Sequence, residues 1–366
     1  MAQGRPAAPG VPPRDGGRRG SRCTTAPAGR WRMAEAAVPE ASAVEGFLAA
    51  AGWGTAARRA LAGDASGRCY LRLQRGADSA VLMIATPAEA RPFHRIAADL
   101  RRLGLSPPLI LAADPDAGLL LLEDLGDALF ARLAEADLAL ADTLYAAAVD
   151  VLAVLHRAPA PPGLPVWSAE VAGKQAALVM QSYAGAPAAG PALAEAVADA
   201  VARLAEAPTV PMLRDFHAEN LIWLPARSGV ARVGLLDFQD AMLAPPGYDL
   251  VSLLADARRD VAPDLAARAT ARYCAATGQD PSAVATAAAT LGAARQLRIL
   301  GVFARLAQQG KPGYLRHMPR VWRYLQADLA TPELAPLARV VARHIPPPDP
   351  DRLAALQCPP DPSPCQ

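Results

Sequence analysis

Three polar residues in the second half of the chain have the types and the spacing of a metal-assisted phosphoryl-transfer site. Asp215 and Asn220 are five residues apart, and Asp237 follows seventeen residues later as the first member of an Asp-Phe pair. In such a site one carboxylate orients the acceptor hydroxyl and takes its proton, while an amide oxygen and a second carboxylate hold Mg²⁺ against the nucleotide phosphates. The sequence therefore predicts that Asp215 is catalytic and that Asn220 and Asp237 are the metal ligands.

Two short apolar runs must position these residues. Residues 221–224 and 233–236 are apolar and are separated by a turn rich in Pro, Arg, Ser and Gly, a pattern that predicts a buried β-hairpin. Asp and Asn are also ordinary turn residues, so an Asp and an Asn at this spacing would carry little weight alone. The hairpin and the Asp-Phe pair together favour phosphoryl transfer over a plain turn.

Composition and charge limit the other classes of function. The chain has 366 residues, of which 52% are hydrophobic, enough for a two-lobed globular enzyme. The net charge is +2, but residues 1–32 contain seven Arg and one acid, so the body is slightly acidic and nucleic-acid binding is not expected. No run approaches the ~18 apolar residues of a membrane span. Five cysteines without a Cys-x-x-Cys pair indicate a reduced cytoplasmic protein, which we expect to be a monomer or weak dimer.

The order of the elements predicts an α+β fold. Residues 1–42 are rich in Arg, Pro and Gly and are predicted to be disordered. Residues 43–124 contain the strands and form a small antiparallel-sheet N-lobe for the nucleotide, and residues 125–345 form a mostly helical C-lobe with the catalytic and acceptor sites. Residues 346–366 are a Pro-rich tail. Strands first and helices later are typical of α+β proteins rather than of alternating βαβ units.

Two segments of the N-lobe are candidate ATP contacts. The small residues at 63–67 precede a strongly alternating strand at 68–73, and their backbone N–H groups can approach phosphates closely, which makes Ser66 and Gly67 candidates. The strand at 119–123 ends in a Leu-Glu-Asp-Leu hinge. The backbone groups of Glu123 and Leu125 are the natural contacts for adenine there. Further strands are predicted at 80–85 and 109–112, and a helix at 92–103.

Several motifs together carry a family resemblance over roughly residues 45–329. They are the loop 63–66 with Tyr70 and Arg72, the hinge 121–127, the segments 213–221, 234–240 and 245–250, and the C-terminal segments 295–306 and 311–314. In these motifs the chain resembles the aminoglycoside/choline phosphotransferase family of the protein-kinase-like fold, and within it the anomeric kinases of N-acetylmuramate and N-acetylglucosamine. The resemblance implies two lobes, ATP and Mg²⁺ as cofactors, and phosphorylation of a small sugar at C1 in cell-wall recycling.

The chain departs from the wider family pattern in the strand at 80–85, which has no Lys for the ATP phosphates. Arg68 and Arg72 share one strand face and are the nearest cationic substitutes, since a guanidinium binds phosphate with two hydrogen bonds. The segment 174–183 also departs from the pattern. Other acceptors, such as an aminoglycoside or an amino alcohol, and a nucleotide-binding pseudokinase therefore stay open.

Two further features have mainly structural interpretations. Arg295, Arg298 and Lys311 form a late basic cluster, which we interpret as a solvated helix face rather than a site for phosphate or carboxylate. Asp249 precedes a helical run and is predicted to be a scaffold residue that caps the helix N-terminus.

Overall fold

The computed structural model describes Met1 and residues 39–61, 68–205, 207 and 209–357. Most of the predicted disordered lead, the loop with Ser66 and Gly67, and the end of the Pro-rich tail lie outside these residues. Residues 37–366 form one compact unit that contains both the sheet and the helices. The first helix begins at Ala41, slightly before the predicted start of the N-lobe.

The N-lobe is a five-stranded antiparallel sheet with strand order β1-β2-β3-β5-β4. Its elements are α1 (Ala41–Ala50), β1 (Ala57–Ala60), β2 (Cys69–Arg75), β3 (Asp78–Ile84), α2 (Pro87–Arg102), β4 (Ile110–Asp114) and β5 (Leu119–Glu123). The predicted sheet interrupted by one helix is confirmed. β1 was not predicted, because its Ala-Arg-Arg-Ala sequence is exposed throughout and has no apolar alternation.

The inner strand β5, which lies between β3 and β4, is buried on both faces of the sheet. Leu119 and Leu121 pack with α1 residues such as Leu48, whereas Leu120 and Leu122 pack in the larger core with α2. This explains why β5 is an unbroken run of Leu rather than an alternating pattern. α2 begins with a capping box in which Thr86 and Glu89 satisfy each other's backbone groups, and this fixes where Glu89 points.

The C-lobe is mostly helical and carries two small antiparallel strand pairs. Its helices are α3 (Phe130–Ala136), α4 (Leu138–Arg157), α5 (Ala169–Val179), α6 (Gly190–Ala202), α7 (Tyr248–Leu254), α8 (Pro263–Thr277), α9 (Pro281–Gln308), α10 (Met318–Leu329), α11 (Ala335–His344) and α12 (Pro350–Ala355). Its strands are β6 (Val210–Met212), β7 (Leu221–Trp223), β8 (Val233–Leu235) and β9 (Met242–Ala244). The pair β7-β8 confirms the predicted hairpin. The pair β6-β9 was missed because each strand has three residues and the partners are far apart in sequence.

α4 is long and apolar enough to cross a membrane by length and composition alone. Its apolar residues pack against α3 and α8 in the core of the C-lobe, and half of its most apolar window is buried there. Packing within the C-lobe therefore explains why α4 is so apolar.

The long helix α9 crosses α5 at a point where only glycine fits. A Cβ atom on Gly301 would lie 2.7 Å from the backbone N of Val179, closer than two non-bonded atoms can approach. Glycine inside a helix costs about 1 kcal/mol relative to Ala, so its presence here is explained by the close helix contact. This contact holds the middle of α9, which lines the site described below.

We predict that Gly301→Ala lowers the free energy of unfolding by about 1–3 kcal/mol, because α9 and α5 must move apart. Gly46→Ala in α1 is the matched control, since its Cβ would meet nothing within 4 Å. That change is expected to stabilise the protein by about 0.4–1 kcal/mol. Urea denaturation measures both, and equal stability of the two variants would contradict the proposed close contact.

Candidate active site

The hairpin β7-β8 brings the two predicted metal ligands together. Leu221 pairs with Leu235, and the backbone N of Leu236 donates to the carbonyl of Asn220 at 3.0 Å. Asn220 and Asp237 therefore lie at neighbouring positions on one end of the hairpin. The side-chain N of Asn220 donates to the backbone carbonyl of Asp215 at 2.9 Å, which leaves its amide oxygen available to a metal.

Asp237 has a left-handed backbone, with φ of 57°, and its side chain is engaged by a cation. Its Oδ1 accepts from Arg68 Nη2 at 2.7 Å and from Gln239 Nε2 at 2.9 Å. Burial by itself raises the pKa of Asp237, but Arg68 and Gln239 outweigh it and hold the pKa below its ordinary value. The carboxylate is therefore ionised at neutral pH, as a metal ligand must be.

The neighbouring Phe238 anchors this end of the hairpin to the N-lobe. Its ring is buried and lies 4.6 Å, centroid to centroid, from that of Phe93 in α2. Glu89, on the same helix, is 3.8 Å from Arg68 Nε. Arg68 thus lies between an acid of α2 and the candidate metal ligand Asp237.

Arg72 lies in a different environment from Arg68, although both were predicted to contact ATP phosphates. Its guanidinium pairs with Asp124 at 2.8 Å and with Asp127 at 2.7 Å, in the segment that follows β5. Arg68 immediately precedes β2 and Arg72 lies within it, but the structure brings only Arg68 to a predicted metal ligand, Asp237. The predicted phosphate contact of Arg72 stays a prediction.

The two residues of the predicted hinge differ in how many backbone groups are free to bind adenine. The backbone N of Glu123 already donates to the carbonyl of Leu109 at 2.7 Å, and its side chain pairs with Arg227. Among the described residues, nothing hydrogen-bonds the backbone N–H or carbonyl of Leu125. Leu125 is therefore the better placed of the two for an adenine edge, and Glu123 has at most its carbonyl to offer.

The catalytic loop, residues 213–220, is held by a buried acid of α7. Asp249 is 1% exposed, and its carboxylate accepts from the backbone N of Leu213 at 2.6 Å and of Arg214 at 2.9 Å. Burial raises the pKa of Asp249 to about 7, although the two N–H donors lower it. The predicted scaffold role fits these contacts, but the predicted N-cap role is wrong. Gly247 is the N-cap, and Asp249 lies in the first turn of α7.

A second contact holds the same loop from its carbonyl side. Ser252 Oγ donates to the carbonyl of Arg214 at 2.8 Å, and Arg295 Nε donates to Ser252 Oγ at 2.9 Å. Arg214 has a left-handed backbone, with φ of 71°, which is uncommon for a residue with a side chain. Both of its backbone polar groups are thus fixed by α7, immediately before Asp215. The loop geometry that presents Asp215 is set by these bonds.

Asp215, Asn220 and Asp237 open into one cavity of about 800 Å³. Among the residues that the structure describes, six cations and four carboxylates line this cavity. The cations are Arg258, Arg259, Arg295, Arg298, Lys311 and Arg316, and the carboxylates are Glu135, Asp215, Glu219 and Asp237. The interpretation of Arg295, Arg298 and Lys311 as a solvated helix face is therefore wrong. The spacing of Arg295 and Arg298 on α9 is that of a surface stripe, but this stripe faces the cavity, and Lys311 lies just after the helix on the same wall.

His217 lines the same cavity as a neutral group. Burial lowers its pKa, and the nearby Arg258 lowers it further. Arg258 Nη1 lies 3.2 Å from His217 Nε2 and can donate only if that nitrogen is unprotonated. A depression of about 820 Å³ on α8 is similar in volume but has no charged side chain among its lining residues, so it offers no carboxylate base or metal ligand of the kind found in the first cavity.

The comparison with known families agrees with this arrangement. A model of the phosphotransferase enzyme family APH matches residues 57–286, which include the sheet, the hinge and all three predicted site residues. The chain belongs to the APH family. Its α+β fold, its N-lobe sheet and its helical C-lobe are those of a protein-kinase-like phosphotransferase.

Individual members of the APH family are similar over most of the chain. An N-acetylmuramate/N-acetylglucosamine kinase of Caulobacter vibrioides is 41% identical over 82% of this chain and 95% of its own length. A kinase of the same name from Pseudomonas aeruginosa is 33% identical over 81% of this chain and 92% of its own. Among solved structures, the choline kinase LicA of Streptococcus pneumoniae has a TM-score of 0.54 at 16% identity, covering 74% of this chain and 94% of LicA. At that identity the structural likeness concerns the fold alone.

Some residues that support the site in this APH-family chain were not found from sequence. Ser252 is a polar residue within the apolar run of α7, and Glu89 belongs to a capping box, so each had a local signal. Neither signal identifies the partner, because Arg214 and Arg68 are distant in sequence. These roles depend on tertiary packing.

We predict that Asp249→Asn lowers kcat by about 10- to 100-fold, because an amide can accept from only one of the two backbone N–H groups and the loop shifts. The KM for ATP should change much less, since the predicted nucleotide contacts lie elsewhere. Steady-state kinetics with circular dichroism measure this. A folded variant with unaltered kcat would contradict the role given to Asp249.

Proposed function

We propose that the protein is an ATP- and Mg²⁺-dependent kinase that phosphorylates the anomeric C1 hydroxyl of N-acetylmuramate or N-acetylglucosamine in cell-wall recycling. The names of its Caulobacter and Pseudomonas relatives support this acceptor. The observation that carries the proposal is one cavity shared by Asp215, the metal-ligand pair and a basic wall. We also infer a cytoplasmic location, where ATP is present, and the free thiols of Cys69 and Cys274 are consistent with it.

The charge of the cavity favours this acceptor over the alternatives. An aminoglycoside or an amino alcohol is cationic and would call for an acidic pocket, whereas cations outnumber carboxylates here. Of the four carboxylates, Glu219 is already paired with Arg259 at 3.1 Å and Asp237 with Arg68. A neutral or anionic sugar fits such a wall. The pseudokinase alternative is disfavoured because a scaffold has no chemical need for all three site residues.

The donor set at the end of the hairpin suits Mg²⁺. Asn220 offers a neutral amide oxygen and Asp237 an ionised carboxylate, and hard oxygen ligands of this kind are those that Mg²⁺ takes. With two protein ligands, the remaining positions would be left to phosphate oxygens and water. When bound, the ion neutralises charge that develops on the phosphates.

Asp215 is the proposed base of the reaction. It would accept a hydrogen bond from the C1 hydroxyl, hold that oxygen in line with the γ-phosphorus, and take the proton as the new O–P bond forms and the bond from the γ-phosphorus to the bridging oxygen breaks, which releases ADP. An anomeric hydroxyl is somewhat more acidic than an ordinary alcohol, so a carboxylate is a sufficient base. The fixed backbone of Arg214 keeps this carboxylate oriented before the substrate arrives.

Arg68 is the proposed replacement for the Lys that the strand lacks. It is buried, lies next to Asp237, and has Glu89 of α2 on its other side, so its guanidinium would meet phosphate oxygens near the metal. Leu125 and the carbonyl of Glu123 would contact adenine. Ser66 and Gly67 remain proposed phosphate contacts.

A pair of arginine variants tests this assignment. Arg68→Gln is expected to raise the KM for ATP by about tenfold or more, because it removes a charged donor to phosphate. Arg72→Gln should raise the KM for ATP less and lower the melting temperature, since Arg72 is tied to Asp124 and Asp127. A larger effect on KM in Arg72→Gln would restore Arg72 as the phosphate ligand.

The proposed reaction is tested by ADP release with a panel of acceptors. Wild-type protein should turn over N-acetylmuramate and N-acetylglucosamine but not choline or an aminoglycoside. Asp215→Asn should lower kcat by about 10²- to 10⁴-fold while ATP binding, measured by calorimetry, persists. Turnover of a cationic acceptor instead of the sugars would overturn the proposed substrate, and full activity of Asp215→Asn would overturn the proposed base.

A further inference from the structure

One cation of the cavity has no partner among the residues that the structure describes. Arg298, on α9, forms no hydrogen bond and no ion pair with any of them, although it is only partly exposed. Taking a guanidinium partly out of water without a partner costs free energy. A partly buried cation that lines the cavity and has no partner among the described residues therefore indicates an anionic group on the ligand.

The other arginines of the cavity are already engaged. Arg259 pairs with Glu219 and Asp256, Arg295 donates to Ser252 and the carbonyl of Ala255, and Arg258 contacts His217. Arg316, which is exposed, lies 3.3 Å from the ring of His317. The contacts of these arginines are therefore mainly with other residues of the protein. Arg298 is the one left for a ligand among the described arginines of this wall.

The surroundings of Arg298 suit a sugar rather than a free anion. Along the same face of α9 follow Ile299, Val302, Phe303 and Leu306, which give the cavity an apolar surface beyond the charge. A pyranose ring with an acetamido group has apolar faces and edges that can lie on such a surface. Arg298, at the border of this apolar surface, would then bind one charged substituent of the sugar.

We propose that Arg298 binds the lactyl carboxylate of N-acetylmuramate and so selects this sugar over N-acetylglucosamine. The inference rests on the proposed function. The two sugars differ by the lactyl ether on C3, which is the only anionic group in either of them. Arg298 lies on α9 one turn beyond Arg295, which is itself bonded to the α7 residue that holds the catalytic loop. A carboxylate bound there would orient the sugar ring so that its C1 hydroxyl meets Asp215.

The test compares kcat/KM for both sugars in wild type, Arg298→Gln and Arg298→Lys. Loss of a charge-assisted bond should lower the ratio of kcat/KM for N-acetylmuramate to that for N-acetylglucosamine by about 10- to 100-fold, mainly through KM. Lys keeps the charge but not the forked geometry, so it should recover part of the ratio. Arg305→Gln is the matched control, because Arg305 is exposed on the same helix. In this variant the ratio of kcat/KM values should equal that of wild type.

The methyl ester of N-acetylmuramate serves as the second change in a double-mutant cycle with Arg298→Gln. It removes the charge of the substrate and keeps most of its shape. Wild type should discriminate against the ester, and Arg298→Gln should discriminate far less. An equal loss for all three substrates, no loss, or a selective loss in Arg316→Gln instead would each overturn the assignment while leaving the proposed function intact. Failure of wild type to phosphorylate either sugar would overturn both.

Discussion

The active site depends on the fixed backbone of Arg214. A left-handed conformation costs a residue with a side chain roughly 1–2 kcal/mol. The carboxylate of Asp249 accepts from its N–H, and the hydroxyl of Ser252 donates to its carbonyl. A hydrogen bond contributes about 1.5–3 kcal/mol when one group is charged and about 0.5–1.5 kcal/mol when both are neutral. The bonds therefore outweigh the strain. Because Asp215 is the next residue, the direction of its side chain follows from this constraint, and the buried α7 positions the proposed base through the backbone of Arg214.

The bonds that fix Arg214 also connect the loop 213–220 to the side of the cavity that α9 forms. Arg295 donates to Ser252 from α9, so the helix that lines the cavity also supports the loop. α9 in turn is fixed by its close crossing with α5 at Gly301. On the nucleotide side, Arg68 and the ring pair of Phe93 with Phe238 connect the sheet and α2 to the metal-ligand end of the hairpin. The proposed nucleotide, metal and acceptor positions are thus set by contacts between distant parts of one chain.

Sequence reasoning recovered the parts that have local signals. The hairpin, the sheet with one helix, and the grouping of Asp215, Asn220 and Asp237 in one cavity follow from apolar runs, turns and residue types. It missed β1 and the β6-β9 pair because short or exposed strands have no period. It misread Asp249 as a cap and the α9 arginines as a solvated face, because the partners that give these residues their roles are distant in sequence. Only the fold determines which face of α9 meets the cavity.

The most direct test of this account is the position of the new phosphate on the sugar. Proton–phosphorus correlation NMR of the product from Mg·ATP and N-acetylmuramate identifies the carbon that carries it. The account predicts a phosphorus nucleus coupled to the anomeric proton. Coupling to the protons on C6, or to those of any other carbon, would contradict it.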